Sequence, residues 1–409
     1  MNFETMLNRY AELAVHVGVH LQPGQTLWVN APIHTADLVR LITRKAYEAG
    51  AQHVHVEWQD EAVTRLKYEL APLDSLEQYP AWRVDALQTL VDQNGAYLYI
   101  DSGDPEAFKG VDSNRIGTFS KAAGKALTSW RKAMTSDQIT WSIMAAPSAE
   151  WAKLVFPGQD PDQAVRLLWE AIFRAARADK PDPVQAWREH NAQLETKLQY
   201  LNAKQYKKLH YIAEGTNLTV ALPEHHIWKG GHTRNRLGNT FNPNLPTEEV
   251  FISPHRAGTS GVVRSSKPLS YQGNLINHFS LTFENGKVID FEAETGYDTL
   301  KTMLDMDEGA RYLGEVALVP HESPISQSDI IFFNTLFDEN ASNHLALGKA
   351  FANCIEHGND MTPEQQRQAG LNDSFIHVDF MIGTAEMDID GELADGTLEP
   401  VFRSGTWAT

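Results

Sequence analysis

The chain has 409 residues, of which 42% are apolar and 22% are charged, a composition typical of globular proteins and not of disordered ones. Lys and Arg number 35 against 53 for Asp and Glu, which gives a formal charge of −18. A nucleic-acid binder or an anionic-membrane binder needs a basic face, so this charge argues against both classes. The length favours two domains or one large domain.

Three features of the sequence bear on where the protein works. The one cysteine, Cys354, can form neither an intramolecular disulfide nor a thiolate zinc site, which favours a reducing compartment. Glu4, Arg9 and Glu12 interrupt the apolar stretch that a signal peptide would need. No apolar run approaches the length of a membrane-spanning helix. We therefore expect a soluble, cytoplasmic protein.

The first half of the chain alternates between helical and β-rich patterns. The predicted helices cover 3–20, 35–49, 162–178 and 184–207. The predicted strands cover 26–30, 53–58 and 96–100. Strands separated by helices of this length predict a parallel sheet with helices on its faces.

The character of the sequence changes near residue 210. From Leu218 onward the chain consists of short β-rich runs and glycine turns, and Asn285-Gly286 between alternating apolar runs predicts a hairpin. We therefore predict an α/β N-terminal domain over 1–210. An α+β C-terminal domain, rich in antiparallel strands, should follow over 211–409.

Carboxylates in this C-terminal domain stand next to apolar runs. Glu248 and Glu249 precede the β-rich run VFIS, where either a strand mouth or a solvated acidic turn would explain them. Glu315 begins another apolar run after Gly314, at which a short helix is expected to end. A carboxylate at the start of a buried strand is costly unless it is paired or binds a metal, although an ordinary charge at a strand end is equally compatible.

Two further segments combine carboxylates with histidines. Glu339 and His344 lie in the polar run DENASNH, which follows an expected buried strand, IIFFNTLF. A capped helix start would explain part of this polar run but not all of it. In the predicted strand FIHVDFMIG, alternation places His377 and Asp379 on one face and apolar residues on the other. The alternative for this pair is a satisfied core His–Asp interaction.

Together these segments supply a set of oxygen and imidazole ligands without thiolate, which suits Zn²⁺, Mn²⁺ or Co²⁺. The candidate metal ligands are Glu249, Glu315, Glu339, His344, His377 and Asp379. The four carboxylates carry a charge of −4, which two divalent cations would balance. Two metals about 3.5–4 Å apart can jointly polarise a carbonyl and generate hydroxide, so we predict a dinuclear site.

The four segments also resemble the ordered motifs of a known family. NLPTEEVF, GARYLGEVALV, LFDENASNHLALG and IHVDFMIG are similar to those of the thermophilic-type metallo-aminopeptidases, typified by aminopeptidases T and S. The resemblance spans nearly the whole chain. It implies an N-terminal α/β domain and a catalytic C-terminal domain, assembled as a homodimer around an enclosed cavity. It also implies the removal of N-terminal residues from peptides by two divalent metals.

The resemblance assigns roles to the candidate residues. It makes Glu315 the bridging ligand and completes the two metal spheres with Glu249, Glu339, His344, His377 and Asp379. Glu248, beside a ligand, is our own candidate for the general base that accepts a proton from the attacking water.

One position departs from the family pattern. The family usually has a tyrosine seven residues after the histidine of the third motif, and here Phe351 stands at that position. A phenyl ring cannot donate a hydrogen bond to a tetrahedral oxyanion. Either turnover is reduced, or another donor substitutes, for which Tyr271 and Tyr297 are candidates.

The favoured hypothesis is therefore a cytoplasmic, homodimeric metallo-aminopeptidase with two divalent ions per subunit (Zn, Co or Mn). Its expected substrates are short peptides, with no nucleic-acid or membrane partner. A dimetal phosphoesterase or deacylase would use the same ligand types, although the acidic charge and the lack of a basic phosphate cradle weigh against phosphorylated substrates. A non-catalytic metal-binding or chaperone-like protein is the third hypothesis, suggested by Phe351.

Overall fold

A computed structural model describes residues 2–104, 107–271 and 274–408. The chain forms two compact units, of which the first comprises Met1–His190 and His232–Pro246, and the second Asn191–Gly231 and Thr247–Thr409. The domain boundary that we predicted at residue 210 stays a prediction. The chain changes from mainly helical to mainly β structure near this residue. A helix that ends at Lys204 is followed there by a strand that begins at Lys208.

Most of the α-helices lie in the first half of the chain, as the sequence predicts. Their bounds are α1 Phe3–Leu13, α2 Ala36–Glu48, α3 Glu61–Leu70, α4 Leu73–Leu76, α5 Ala81–Asp92, α6 Ser113–Ala126, α7 Thr128–Thr135, α8 Ala149–Val155, α9 Pro161–Ala175, α10 Pro183–Lys204, α11 Tyr297–Leu304, α12 Thr335–Asp338 and α13 Pro363–Gln368. Helix α1 continues as a π-helix over Ala14–Gly18, so the helix predicted over 3–20 is confirmed in extent but changes its winding. Within the described residues, no helix is both long and apolar enough to cross a membrane.

The strands are concentrated in the second half of the chain. Their bounds are β1 Thr26–Pro32, β2 His53–Gln59, β3 Ala96–Asp101, β4 Thr140–Ala145, β5 Lys208–Ala213, β6 Thr216–Ala221, β7 Lys229–Gly230, β8 Thr233–Arg234, β9 Thr240–Phe241, β10 Asn244–Leu245, β11 Val250–Ile252, β12 Thr259–Arg264, β13 Leu269–Tyr271, β14 Asn274–Glu284, β15 Lys287–Thr295, β16 Leu313–Leu318, β17 His344–Gly348, β18 His377–Met381, β19 Asp388–Glu392, β20 Leu398–Arg403 and β21 Thr406–Trp407.

The first unit is built on a parallel sheet with the strand order β10-β4-β3-β1-β2. Its central strands carry fully buried apolar residues such as Leu27, Val29 and Leu98, as a sheet covered by helices requires. The hydroxyl of Tyr10 on α1 donates a 2.9 Å hydrogen bond to the carbonyl of Ala145, which ties this helix to the end of β4. The predicted α/β architecture of this part of the chain is confirmed.

The second unit contains two antiparallel sheets. The larger has the order β13-β14-β12-β6-β5-β19-β20-β21, with β15 paired to β14, and the smaller has the order β18-β17-β16-β11-β7. The predicted hairpin is confirmed: Asn285 and Gly286 join β14 to β15 with φ values of 50° and 82°, the left-handed conformations that a tight hairpin turn requires. The predicted α+β class rich in antiparallel strands is therefore confirmed as well.

The strand expected over IIFFNTLF is wrong. Residues 330–334 are irregular, and helix α12 follows them. The Asp338 carboxylate accepts hydrogen bonds from the backbone N–H groups of Phe332 and Asn334 at 2.8 and 3.0 Å, and the Asn334 side chain caps the N–H of Leu336. These local side-chain acceptors satisfy the backbone groups that a strand would have paired with a neighbour.

Candidate metal centre

The smaller sheet of the second unit has one apolar face and one polar face. Alternate residues of its strands belong to the main core of the unit, and these are Val250, Ile252, Val316, Leu318, Leu345, Leu347 and Phe380, with Val378 packed against them. The intervening residues lie on the opposite face, and they include Glu315, His344, His377 and Asp379. The strand alternation predicted for His377 and Asp379 is therefore confirmed. Glu315 and His344 lie on the same face of the sheet.

The register of this sheet places small residues between the candidate ligands. Ala346 pairs with both Asp379 and Glu315, one on each neighbouring strand. Gly348 pairs with His377, and Ala317 pairs with His344, in the same manner. Because alanine and glycine rise little above the sheet, the space between the carboxylates and imidazoles stays open.

Glu315 owes its direction to a β-bulge at Gly314. Leu313 pairs with Leu347 and Glu315 pairs with Ala346, so Gly314 is an extra residue on β16. Without the bulge, Leu313 and Glu315 would share a face; with it, Leu313 joins the core and Glu315 faces the ligands. The short helix that we expected to end near Gly314 is a 3-10 turn over Gly309–Arg311, and β16 begins before Gly314, so this glycine belongs to the strand and is not a helix cap.

Glu248 and Glu249 lie in an irregular segment directly before β11, and both are buried. The solvated acidic turn that we considered for them is therefore wrong. The N–H of Glu248 donates a 2.7 Å hydrogen bond to Oδ1 of Asn340, a fully buried side chain. The amide of Asn340 also lies 3.4 Å from Oε1 of Glu339. Asn340, which the sequence analysis did not single out, thus links the Glu248 backbone to Glu339.

Five of the six candidate ligands form two overlapping clusters, and Glu339 belongs to neither of them. Nε2 of His344 lies 3.1 Å from Oε2 of Glu249, and Nε2 of His377 lies 3.0 Å from Oε2 of Glu315 and 3.5 Å from Oδ1 of Asp379. Ligand atoms of Glu249, Glu315 and His344 lie within 4.8 Å of one another, and so do those of Glu315, His377 and Asp379. Glu315 belongs to both clusters.

Burial and mutual repulsion shift the pKa values of the carboxyl groups. Burial raises the pKa of Glu315 to about 7, against the opposing hydrogen bond from His377. Burial, together with the charges of Glu249 and Asp379, holds the pKa of Glu339 well above its usual range. Burial also acts to raise the pKa of Asp379, but the attractions of His377 and His344 together outweigh burial, and the net shift of the pKa is downward.

The pKa values of the two histidines are also raised, although burial by itself acts to lower them. Burial acts to lower the pKa of His344, yet the hydrogen bond to Glu249 and the charges of Glu249, Asp379 and Glu315 together offset burial and bring the pKa to about 10. For His377, Asp379 and Glu315 likewise outweigh burial, so its pKa lies well above the usual range. The site therefore favours positive charge at its centre, which a bound cation would also supply.

The donor set fits divalent metal ions. Nδ1 of His377 is 2.7 Å from the carbonyl oxygen of Lys349, and Nδ1 of His344 is 3.2 Å from that of Ser342. With Nδ1 engaged as a donor to a carbonyl, Nε2 is the nitrogen available to a metal, as is usual for metal-binding histidines. Oδ1 of Asp379 is buried, and beyond the long 3.5 Å contact with Nε2 of His377 it has no hydrogen-bond partner among the described residues, a state that a metal bond would relieve.

Phe351, seven residues after His344 in the sequence, lies beside this centre, as the family resemblance leads us to expect. Its ring centroid is 4.9 Å from that of His377 and 5.5 Å from that of Phe251. The two alternative hydroxyl donors belong to other elements: Tyr271 ends β13 and Tyr297 begins α11, and both elements pack on β14 of the larger sheet. The structure thus brings Phe351 to the candidate ligands, whereas Tyr271 lies in a strand of the larger sheet and Tyr297 in a helix that packs on that sheet.

A buried sheet face with paired carboxylates and imidazoles defines the class of site found in metal-dependent hydrolases. The sequence matches the thermophilic metalloprotease (M29) family over residues 3–407, and the chain belongs to that family. The resemblance seen in the four motifs is confirmed.

Relatives with curated names cover the full chain. The sequence is 52% identical to aminopeptidase AmpS of Bacillus subtilis over 407 residues, which is 100% of this chain and 99% of that protein. It is 44% identical to aminopeptidase T of Thermus aquaticus over 405 residues, 99% of each chain. The solved structure of wild-type AmpT from Thermus thermophilus superimposes with a TM-score of 0.94 at 42% identity and covers 100% of both chains. Metal-dependent peptide hydrolysis is thus the chemistry of this protein.

The bulge at Gly314 yields the first testable prediction. A Cβ at this position would collide with the backbone carbonyls of Gly348 and Lys349, so Gly314→Ala should displace Glu315 from both ligand clusters. We expect metal affinity to fall by at least about tenfold, measured by calorimetric titration of chelator-stripped protein with Zn²⁺ or Mn²⁺.

Gly117→Ala is the matched control for this variant. Gly117 lies in α6, where an added Cβ meets nothing within 4 Å, and alanine is the better helix former. This control should bind metal as the unmodified protein does. A folded Gly314→Ala protein with unchanged metal affinity would show that the bulge does not position Glu315.

Proposed function

We propose that this protein is a dinuclear-metal aminopeptidase that removes N-terminal residues from short peptides. The observation that carries the proposal is the pair of ligand clusters that share Glu315, each with its atoms within 4.8 Å. Membership of a metalloprotease family and relatives named as aminopeptidases support the same activity. We assign the catalytic chemistry to the predicted domain 211–409.

The clusters suggest how two ions would be held. Glu249 and His344 would bind one ion, His377 and Asp379 the other, and Glu315 would bridge them. Glu339, whose charge interacts with that of Glu249, would complete the first set. Zinc, cobalt and manganese all suit these oxygen and imidazole donors. Two such ions would supply Lewis-acid polarisation of the scissile carbonyl and would acidify a water molecule.

The protein's own groups would manage the protons. We assign Glu248 as the general base that accepts the proton of the attacking water and passes it to the leaving amine. Its burial and the anchoring of its N–H by Asn340 support a fixed position beside Glu249. The free α-amine of the substrate would be recognised by a carboxylate of the site or by one of the ions, which restricts cleavage to the first residue.

Three further features belong to this proposal. The substrates would be short peptides, because an enclosed cavity in a homodimer admits no folded protein. The homodimer itself follows from the family resemblance. A cytoplasmic location agrees with the reduced state that we infer for Cys354, a buried free thiol.

Metal removal and restoration test the proposed activity directly. Chelator-stripped protein should release no amino acid from short peptides, and Zn²⁺, Co²⁺ or Mn²⁺ should restore stepwise N-terminal release. Activity should reach its plateau at about two metal equivalents per chain. Metal binding without any release would contradict the aminopeptidase and would favour the phosphoesterase, the deacylase or a metal-binding protein.

Substitution of Glu248 separates a proton-transfer role from a ligand role. Glu248→Gln should lower kcat by about 10²–10⁴-fold, the usual contribution of a general base, with metal stoichiometry unchanged. Glu315→Gln should instead lose metal as well as activity, because it removes a charge shared by both clusters. If Glu248→Gln retained near-normal kcat, Glu248 would not be the base.

Phe351→Tyr tests whether the missing hydroxyl limits turnover. A phenol placed beside His377 could donate a hydrogen bond to the developing oxyanion, so kcat should rise by about tenfold or more while KM changes little. Phe291→Tyr, on β15 of the larger sheet, serves as the control and should leave kcat as it is. Equal kcat values for both variants would show that another group already stabilises the oxyanion.

A further inference from the structure

Phe375 stands two residues before the candidate ligand His377, and 92% of its surface is exposed. A single exposed apolar residue is common on protein surfaces and by itself needs no explanation. The position of this ring is nevertheless particular. Ile376, between Phe375 and His377, packs against the core of the unit, whereas the side chain of Phe375 is exposed to solvent.

The backbone that presents Phe375 is held firmly. Its N–H donates a 2.6 Å hydrogen bond to Oδ2 of Asp307, and the hydroxyl of Ser374 lies 2.9 Å from both oxygens of that carboxylate. The N–H of Ala310 donates to Oδ1 of Asp307 at 2.9 Å. The segment before β18 is therefore held at several points, which fixes the backbone of Phe375 relative to His377.

The candidate centre has a closed end and an open end. Glu249 and His344 are buried, whereas the side chain of His377 is 26% exposed and Phe375 is almost fully exposed. Chain connectivity keeps the Cα atoms of Phe375 and His377 within about 7 Å of each other, the span of about two residues of an extended peptide. The exposed ring is therefore attached close to His377, whose side chain is itself partly exposed.

We propose that Phe375 is a specificity-determining residue that contacts the side chain directly after the scissile bond and favours an apolar residue there. This inference rests on the proposed aminopeptidase function. An exopeptidase must hold the first residue of its substrate toward the closed end, because the rest of the peptide has to extend to solvent. The open end, where Phe375 stands, therefore receives the leaving peptide, and a phenyl ring gains by covering apolar surface there.

Release of leucine from three substrates tests this contact. Leu-Phe-Gly offers the ring an apolar side chain, Leu-Ser-Gly offers a small polar one, and leucine amide offers none. In the metal-restored protein, kcat/KM should be about tenfold higher for Leu-Phe-Gly than for Leu-Ser-Gly. Phe375→Ala should remove most of this difference through a higher KM for Leu-Phe-Gly, and leucine amide should be cleaved as before.

Two variants serve as controls. Phe375→Trp keeps an aromatic surface and should keep the preference for Leu-Phe-Gly. Leu398→Ala removes an apolar side chain of 54% exposure from β20, in the larger sheet of the same unit, and should change none of the three rates.

Three outcomes would overturn the inference. An equal loss on all three substrates would mean that the ring supports the fold around His377, and an unchanged preference would mean that it touches no substrate. A smaller sedimenting species for Phe375→Ala would mean that a second copy of the chain covers the ring.

Failure of the proposed function itself would look different, since the unmodified protein would then release leucine from no substrate. In that case calorimetric titration with Leu-Phe-Gly and Leu-Ser-Gly decides the matter. Weaker binding of Leu-Phe-Gly alone to Phe375→Ala would support the contact, and equal binding would refute it.

Discussion

The burial of several carboxylates against one another is the constraint on which the second unit depends. Glu315 and Glu339 lie close to the carboxylates of Glu249 and Asp379, and burial together with these neighbouring charges raises the pKa values of Glu315 and Glu339. Such a cluster is costly unless cations offset it. The two histidines supply part of that offset through short contacts with Glu249 and Glu315. The site is thus electrostatically arranged for metal ions before any ion binds.

A small sheet meets this constraint because its two faces can serve different purposes. The apolar face contributes Val316, Leu345 and their neighbours to the core and so stabilises the strands that carry the ligands. The register fixes the spacing of the ligands, and Ala346 and Gly348 leave room above the sheet. A bulge at Gly314 adds the one adjustment that strict alternation cannot provide, because it turns Glu315 toward the site while Leu313 stays in the core.

Strand periodicity made part of this site predictable from sequence. His377 and Asp379 follow a period of two within an apolar run, and their common face could be predicted without a structure. The same holds for the hairpin at Gly286 and for the parallel sheet of the first unit. The face on which the Glu315 side chain lies could not be predicted in this way. A β-bulge depends on the pairing with the neighbouring strand, and the sequence alone suggested that Gly314 ends a helix. The segment IIFFNTLF has the composition of a strand, but the hydrogen bonds of Asp338 and Asn334 override that preference.

In the proposed enzyme, residues within the paired strands would carry the catalytic chemistry, and residues outside the pairing would determine substrate preference. Residues inside the paired strands, such as Glu315 and His344, cannot change direction without disturbing a ladder of hydrogen bonds and a packed core. Phe351 and Phe375 lie outside the paired residues of β17 and β18, so neither belongs to the strand ladder. Phe351 differs from the tyrosine that the family resemblance leads us to expect at this position. In the proposed aminopeptidase, the candidate ligands thus lie within or directly beside the paired strands, and Phe351 and Phe375 would set turnover and substrate preference.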